Sequence, residues 1–429
     1  MAVCGCGRRR PMWRSDFARK LMSNTAAQAL NFGSRWLLNL AVARHLSEHE
    51  FGVFSLIYMV ANLLFPTLAF GSNFFLIHET AKKRDINQLL SSFALTACVS
   101  VAVLTAVGLY QWLAAEPLPI LLYMLAALVG LLWAIAQQCY SYLKGAQQFH
   151  AEMHGQFLSA ILMLGVAVLV VVGVFEHTSE VMAAIAAASL VPVLHGLKWL
   201  WPEVQQARVL QHSSLLSWSM VRQRVSYAWH DVFAIYLSNI PFVFLSMFST
   251  LIALGMFRKS FVLFMPVTLL PVVFSHVLLA RLSSIVDANT RLAQFKRLFI
   301  FTFPLLSLPY LGLALLNPWL YPLLLNEPLQ PLVAEICYWV VGTLWLTLLK
   351  TYVEVWLTSL GFNHWRAIVV SAVAIGSSLL YIVVNDQLTA QVAAWIFFAG
   401  NLVAVGVIAL CGIPAYRRYA SSTAEKLAK

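Results

Sequence analysis

Residues 118–140 read LPILLYMLAALVGLLWAIAQQCY, a stretch that contains no charged side chain. At the 1.5 Å rise per residue of an α-helix, it is long enough to cross the roughly 30 Å hydrocarbon core of a bilayer. A transmembrane β-barrel would instead show alternating segments of about ten residues. This stretch therefore predicts a transmembrane α-helix.

Similar apolar blocks follow one another along the whole chain. Of the 429 residues, 61% are apolar and only 10% are charged, and the mean hydropathy is +0.78. A soluble domain carries about a quarter charged residues, so the composition excludes a soluble enzyme with one membrane anchor. We predict twelve membrane helices, at residues 21–43, 51–77, 89–111, 118–140, 156–175, 181–201, 225–249, 254–279, 298–320, 331–357, 367–384 and 391–413.

The predicted fold class is an all-α polytopic membrane protein, with twelve transmembrane helices in two six-helix bundles that face a central cavity. Six helices return the chain to its starting side, so both halves enter the membrane in the same orientation, as parallel repeats do. Gly52-Val53-Phe54 and Gly255-Met256-Phe257 echo each other at the starts of the second and eighth helices. The predicted parts are a tail (1–20), the first bundle (21–201), a linker (202–224), the second bundle (225–413) and a second tail (414–429).

The net charge of +11 is distributed unevenly between the two sets of loops. Most of the 28 basic residues fall in the loops on the side of the termini, and the opposite loops hold only Arg44, Arg258 and Lys259. By the positive-inside rule, both termini are cytoplasmic. The basic character then reflects topology and contact with anionic membrane lipid, and we expect no nucleic-acid partner. Met12 opens the last part of a basic segment and is a second candidate for the start of translation.

Motifs for the common membrane chemistries are missing from the sequence. There is no glycine-rich phosphate loop, no HExxH helix and no nucleophile elbow, and the cysteines lack the partners of a metal site. We therefore expect no cofactor, no bound metal and no catalytic residues. The protein is interpreted as a transporter and not as an enzyme.

Polar residues inside membrane helices are costly and are candidates for a functional site. The first helix carries such residues at helical spacing on one face, which cannot be turned toward lipid; they are Asn24, Gln28, Asn31, Arg35 and Asn39. A mid-helix arginine costs roughly 3 kcal/mol on insertion scales, and no acidic residue lies one turn from Arg35. This pattern favours a role for Arg35 in a cavity between the bundles.

Other intramembrane charges leave alternatives open. Lys350 and Glu354 lie one turn apart in the tenth helix, so they either neutralise each other or act on a substrate. Asp231 in the seventh helix is a candidate proton carrier or a partner of Arg35. Arg258 and Lys259 either extend toward the outer lipid headgroups or bind the substrate.

Residues 40–54, LAVARHLSEHEFGVF, resemble the loop between the first two helices of Wzx-type polysaccharide flippases, which belong to the same superfamily as the multidrug and toxin extruders. Gly71-Ser72-Asn73 and the segment at Gly255 are similar to the family as well, as are the chain length and the six-plus-six organisation. The resemblance implies transport of an undecaprenyl-pyrophosphate-linked oligosaccharide to the periplasmic leaflet of the bacterial inner membrane. It also implies a polysaccharide polymerase and a chain-length regulator as partners.

Under this interpretation, each intramembrane polar residue has an expected role. Arg35, Lys350, Arg258 and Lys259 would hold the pyrophosphate, and Asn24, Gln28, Asn31 and Asn39 would hydrogen-bond the sugars. Asp231 and Glu354 would couple transport to an ion. The alternatives are a multidrug exporter of the same superfamily, which would favour an acidic cavity, and a membrane polysaccharide polymerase or ligase. The latter enzymes need a larger outer loop than this sequence offers.

Overall fold

The computed structural model describes residues 13–113, 119–206, 218–271, 274–275, 278, 282, 285 and 287–428. Within these residues the chain is helical and contains no strand. The helices are α1 (Trp13–His45), α2 (Glu48–Ala69), α3 (Ser72–Lys82), α4 (Ile86–Leu113), α5 (Ile120–Gly145), α6 (Phe149–Val171), α7 (Thr178–Gln206), α8 (Trp218–Phe248), α9 (Leu251–Phe264), α10 (Ala288–Leu325), α11 (Pro331–Ser359), α12 (Asn363–Val383) and α13 (Ala390–Ala428).

Most of these helices are long enough to cross a membrane. Among the described residues, 11 helical segments have both the length and the apolar character of a membrane span. The 33-residue α1 also has the length, but its polar stripe lowers its hydropathy. The predicted all-α polytopic fold is confirmed.

Capping residues fix where three of the helices begin. Ser47 accepts a hydrogen bond from the backbone N–H of Glu50 at the start of α2, and Thr250 accepts one from Ala253 at the start of α9. Asp287 does the same for α10, and the hydrogen bonds from Thr290 hold the pKa of its carboxyl below the usual value. Such caps satisfy N–H groups that have no partner inside the helix.

Several predicted boundaries need correction. Helices α1, α10 and α13 extend beyond the predicted 21–43, 298–320 and 391–413. The predicted helix 51–77 is two helices, because Phe70 and Gly71 both adopt the left-handed backbone conformation between α2 and α3. The predicted helix 254–279 is regular only to Phe264, and a 3₁₀ turn at Met265–Thr268 follows, where Pro266 removes a backbone donor. The predicted helices 181–201 and 225–249 are longer than expected, since α7 continues to Gln206 and α8 begins at Trp218; residues 207–217 lie outside the described part.

The helix contacts separate the molecule into two groups. Helices α1 to α7 pack mainly on one another, with α5 against α2, α3 and α7, and α1 along α6. Helices α8 to α13 pack in the same way around α11 and α13. The groups meet chiefly where α2 crosses α8 and α9 and where α3 contacts α8. The domain boundaries drawn from the sequence remain a prediction.

The first meeting point, which we call the Gly52 junction, consists of Gly52, Leu251 and Gly255. A Cβ atom on Gly52 would lie 2.3 Å from the carbonyl oxygen of Leu251. A Cβ atom on Gly255 would lie 3.4 Å from the carbonyl oxygen of Glu48. The two glycines of the sequence echo therefore face each other across the interface. Such a contact is what the predicted parallel repeats would produce close to the axis that relates them.

The second meeting point, the Gly71 junction, consists of Gly71, Ser72, Arg224 and Ala228. Gly71 has φ +65°, and a Cβ atom there would lie 2.5 Å from the backbone nitrogen of Ala228. Both its conformation and its surroundings therefore require glycine. The fully buried Arg224 of α8 reaches into the first bundle, where Nη1 donates to Ser72 Oγ at 3.3 Å and Nη2 donates to the Gln88 carbonyl at 3.2 Å.

Candidate functional site

Arg258 lies on α9 at the interface between the two helix groups and is only 5% exposed. Its Nη2 donates a 3.0 Å hydrogen bond to Oδ1 of Asn39 on α1. Its Cζ lies 5.5 Å from the ring centre of Tyr58 and 5.1 Å from that of Phe242. Its buried Nε has no hydrogen-bond partner. This burial excludes the alternative in which Arg258 extends to the lipid headgroups.

Arg35 lies one turn before Asn39 on the same face of α1. The Asn39 side chain donates to the Arg35 carbonyl at 2.8 Å, so Asn39 connects the two arginines. The Arg35 guanidinium lies 4.1 Å from the centre of the Trp133 ring and interacts with the Tyr58 side chain. Tyr58 therefore contacts both cations, Arg35 and Arg258, at one place.

The two arginines form a cationic cluster, which we define as Arg35, Asn39, Tyr58, Trp133 and Arg258. Among the described residues, no ion pair involves either arginine. Aromatic faces provide about 0.5–2 kcal/mol per cation, which does not replace a counter-ion for two charges removed from water. An anion that entered the cluster would gain both charges and the free Nε of Arg258.

The other predicted polar residues of α1 are less defined. Gln28 and Asn31 are half-buried on the same helix as Arg35. Asn24 lies on α1 as well, but its side chain is outside the described ones. A second contact holds α1 near the cluster, since Trp36 Nε1 donates to the Val262 carbonyl of α9 at 3.0 Å.

Lys259 follows Arg258 in sequence but has a different environment. Its Nζ lies 2.6 Å from Oε1 of Glu327, and the lysine side chain is 5% exposed. This ion pair connects α9 to the segment after α10. Because its charge is already compensated, Lys259 is a weaker candidate for anion binding than its neighbour.

The spacing of Lys350 and Glu354 on α11 allows an ion pair, but the ion pairs of the described residues do not include one between them. Lys350 Nζ instead lies 3.4 Å from Oδ1 of Asn401 on α13. No described hydrogen bond, ion pair or ring contact joins Lys350 to the cationic cluster. The second bundle therefore holds its own intramembrane cation.

Asp231 on α8 pairs with the adjacent His230, whose Nδ1 lies 3.3 Å from Oδ1 of the carboxylate. Both side chains are mostly buried, at 17% and 20% exposure. The described ion pairs do not join Asp231 to Arg35. The ion pairs of the described residues therefore give no support to a partnership of Asp231 with Arg35, and the role of Asp231 as a proton carrier stays a prediction.

Tyr58 and Trp133 are members of the cluster that the sequence did not reveal. Tyr58 lies among apolar residues of α2, and its ring packs 5.7 Å from that of Trp133 on α5. Trp133 is held in place because its Nε1 donates to Ser189 Oγ at 2.9 Å. Aromatic residues in a membrane helix look like ordinary packing residues in the sequence, so only the structure shows that these two contact the arginines.

The fold is that of the MATE transporters of the MOP superfamily. The chain is similar to an inward-facing MATE family multidrug resistance transporter, with 13% identity, a TM-score of 0.67, and 93% of this chain and 96% of that chain covered. The chain is also similar to an outward-facing structure of the same description, with 13% identity, a TM-score of 0.62, and 96% of this chain and 96% of that chain covered. A third similar structure is a MOP superfamily transporter from Pyrococcus furiosus Vc1, with 13% identity, a TM-score of 0.60, and 95% of this chain and 96% of that chain covered. That transporter is described as having a binding pocket of reverse polarity, which suggests a different function.

The sequence itself identifies the family. A family model described as "Polysaccharide biosynthesis protein" matches residues 41–333, which is more than half of the chain. The chain therefore belongs to this family, and the resemblance found in residues 40–54 is confirmed. No curated protein matches the sequence.

Proposed function

We propose that the protein is a flippase that moves an undecaprenyl-pyrophosphate-linked oligosaccharide from the cytoplasmic to the periplasmic leaflet of the bacterial inner membrane. The observation that carries this proposal is the cationic cluster, in which two arginines lie between the two helix groups and neither forms an ion pair with a carboxylate of the described residues. Membership of a polysaccharide biosynthesis family supports a glycan as the cargo.

The physical problem of such transport is the headgroup. A pyrophosphate and its sugars cannot cross hydrocarbon unaided, because each unpaired polar group costs several kcal/mol there. Arg35 and Arg258 would bind the pyrophosphate, and Gln28, Asn31 and Asn39 would hydrogen-bond the sugars while the polyprenyl chain stays in the surrounding lipid. Lys350 would receive the anion in the second bundle.

Rocking of the two helix groups against each other would expose the cluster to each side in turn. With an inside-negative potential of 100 mV, outward movement of two negative charges releases about 4.6 kcal/mol. The anion thus moves down the electrical gradient. A proton carried by Asp231, or an ion bound at Glu354, would add to that driving force.

A multidrug exporter of the same fold is the second candidate. A cationic drug requires an acidic site, whereas the cluster at the interface carries two uncompensated positive charges. The P. furiosus transporter, described by a reverse pocket polarity, supports the view that this fold accepts sites of either sign. A polymerase or ligase is disfavoured because the described connections after α6, α8 and α12 span only a few residues.

The direct test is substitution of Arg35. We expect Arg35→Ala to lower export of surface polysaccharide about tenfold or more, because a hydrogen bond to a charged group contributes about 1.5–3 kcal/mol. Arg35→Lys should keep part of the export, since it keeps the charge but not the planar fork. The readout is surface polysaccharide in a strain that depends on this protein. The control is Arg44→Gln, an exposed cation at the end of the same helix. Full export by Arg35→Ala at normal protein level would contradict the proposal.

Ion coupling has a separate test. We expect Asp231→Asn to weaken the pH dependence of transport in proteoliposomes, because the amide cannot release a proton. Glu354→Gln is the parallel variant on α11. If both variants keep the pH and sodium dependence of the unmodified protein, transport is driven by the membrane potential alone and the coupling role is wrong.

A further inference from the structure

A groove on the outside of the second helix group lies between α10, α11 and α13 and has a volume of about 390 Å³. Its lining is almost entirely apolar and includes Phe295, Trp356, Gly412 and Tyr416, with Arg417 as the one charged residue of the lining. None of these residues belongs to the cationic cluster. The groove is therefore distinct from the cationic cluster.

The walls of the groove are formed by aromatic rings. Phe295 and Trp356 stack with ring centres 4.8 Å apart, and Trp356 lies 6.0 Å from Tyr416. A Cβ atom on Gly412 would lie 3.5 Å from Trp356 Cδ1, which is an ordinary contact. Alanine would thus fit at this position, whereas a longer side chain would occupy the groove.

The polar end of the groove is strongly basic. Arg417 is exposed at this end, and Arg418, Lys296 and Arg297 are exposed on the same two helices nearby. Arg291 is already engaged, because its guanidinium donates to the carbonyl groups of Ile285 and Ser359. The exposed cations lie at the end that the positive-inside rule places next to the anionic inner leaflet.

We propose that this groove binds one acyl chain of an anionic membrane phospholipid, with the lipid phosphate at Arg417. A methylene group fills about the volume of a water molecule, roughly 30 Å³. The groove thus accepts about a dozen methylene groups, which matches a fatty acyl chain and is too small for a long polyprenyl chain. Apolar walls next to a single cation are complementary to this kind of lipid.

The bound lipid would support α10. Many large apolar side chains of this helix, such as Phe301, Leu308 and Trp319, are exposed. The helix packs mainly on α11. A chain in the groove would add contacts from α10 to both α11 and α13. The lipid would remain in place during transport, because all three helices belong to one group.

The experiment uses phosphatidylglycerol with a photoreactive group on its acyl chain, incorporated with the full-length protein into nanodiscs. We expect crosslinks to map to α10, α11 and α13 at the groove, and Gly412→Leu to remove them. Arg417→Gln should weaken phosphatidylglycerol binding about fivefold, because one cation near an anionic surface contributes about 1 kcal/mol to binding. Binding of phosphatidylcholine with the same acyl chain should not change.

Matched variants control for folding and for general lipid contact. Gly406→Leu places the same side chain on the lipid-facing side of α13 outside the groove and should keep the crosslinks, as should Arg418→Gln next to Arg417. The proposal would be overturned if Gly412→Leu and the unmodified protein were labelled equally. It would also be overturned if both lipids labelled all exposed helices equally, since the contact would then be that of ordinary surrounding lipid. Displacement of the probe by equimolar polyprenyl phosphate would overturn the choice of occupant.

Discussion

The Gly52 junction and the Gly71 junction connect the same two helix groups but use a buried arginine differently. Near the Gly71 junction, Arg224 donates to two acceptors of the first bundle and lies 4.3 Å from the Phe75 ring. Near the Gly52 junction, Arg258 has one acceptor, Asn39, and a second cation, Arg35, in contact with the same tyrosine. Both arginines have a buried Nε without a hydrogen-bond partner, and neither takes part in an ion pair among the described residues. They differ because Arg224 has two acceptors and, within this part of the chain, no second cation beside it, whereas Arg258 has one acceptor and shares Tyr58 with Arg35.

Substitution of Arg258 should have the largest effect. We expect Arg258→Gln to reduce export of surface polysaccharide about thirtyfold or more, because loss of one member of a buried charged pair costs about 2–5 kcal/mol. Protein level should fall much less than export, because removal of a buried charge offsets the loss of the hydrogen bond between Arg258 and Asn39. Quantitative immunoblots of the membrane fraction, alongside the export assay, check both points. A variant that exports normally would show that the Gly52 junction has no ligand-binding role.

The close approach at Gly52 allows a paired test. We expect Gly52→Ala to lower stability by about 1–3 kcal/mol, the usual cost of overpacking, because its Cβ atom would lie 2.3 Å from a carbonyl oxygen. Gly255→Ala should have a much smaller effect, since its nearest contact is 3.4 Å. Thermal unfolding of the purified variants measures the difference. Equal unfolding temperatures would mean that the two helices do not remain in contact in the membrane.

Arg224 should behave in the opposite way to Arg258. We expect Arg224→Gln to destabilise the protein by about 1–3 kcal/mol, because the Ser72 hydroxyl and the Gln88 carbonyl lose their buried partner. Export per folded molecule should stay close to normal. Arg222→Gln, an exposed cation two residues earlier on α8, is the control and should stay within about 0.5 kcal/mol. If Arg224→Gln is stable but inactive, the proposed contrast between the junctions is wrong.

The sequence predicted the helices well and their ends less well. Long uncharged stretches identify membrane helices because hydrocarbon excludes charge regardless of tertiary context. The break at Phe70 and Gly71 escaped prediction because the apolar pattern continues through it. Gly71 permits the left-handed conformation, but its contact with α8 joins segments far apart in sequence.

The candidate site was predicted in part. The polar face of α1 correctly indicated Arg35 and Asn39 as residues at an interface, because helical spacing places them on one side. The sequence grouped Arg258 with Lys259, and the structure separates them, since one lies beside Asn39 and the other beside Glu327. Adjacent residues on a helix point about 100° apart, so their partners belong to different neighbouring helices.

The amino-acid sequence alone is enough to establish that the chain lies in a membrane, that it is all-helical, and that it belongs to a polysaccharide biosynthesis family. These properties depend on composition, on the apolar length of each segment and on short local motifs. Only the tertiary structure decided which buried charges are compensated. Helix periodicity defines the face on which a charge lies, but the identity of the opposite helix depends on packing between segments far apart in sequence. Arg35, Tyr58 and Arg258 come together for this reason alone.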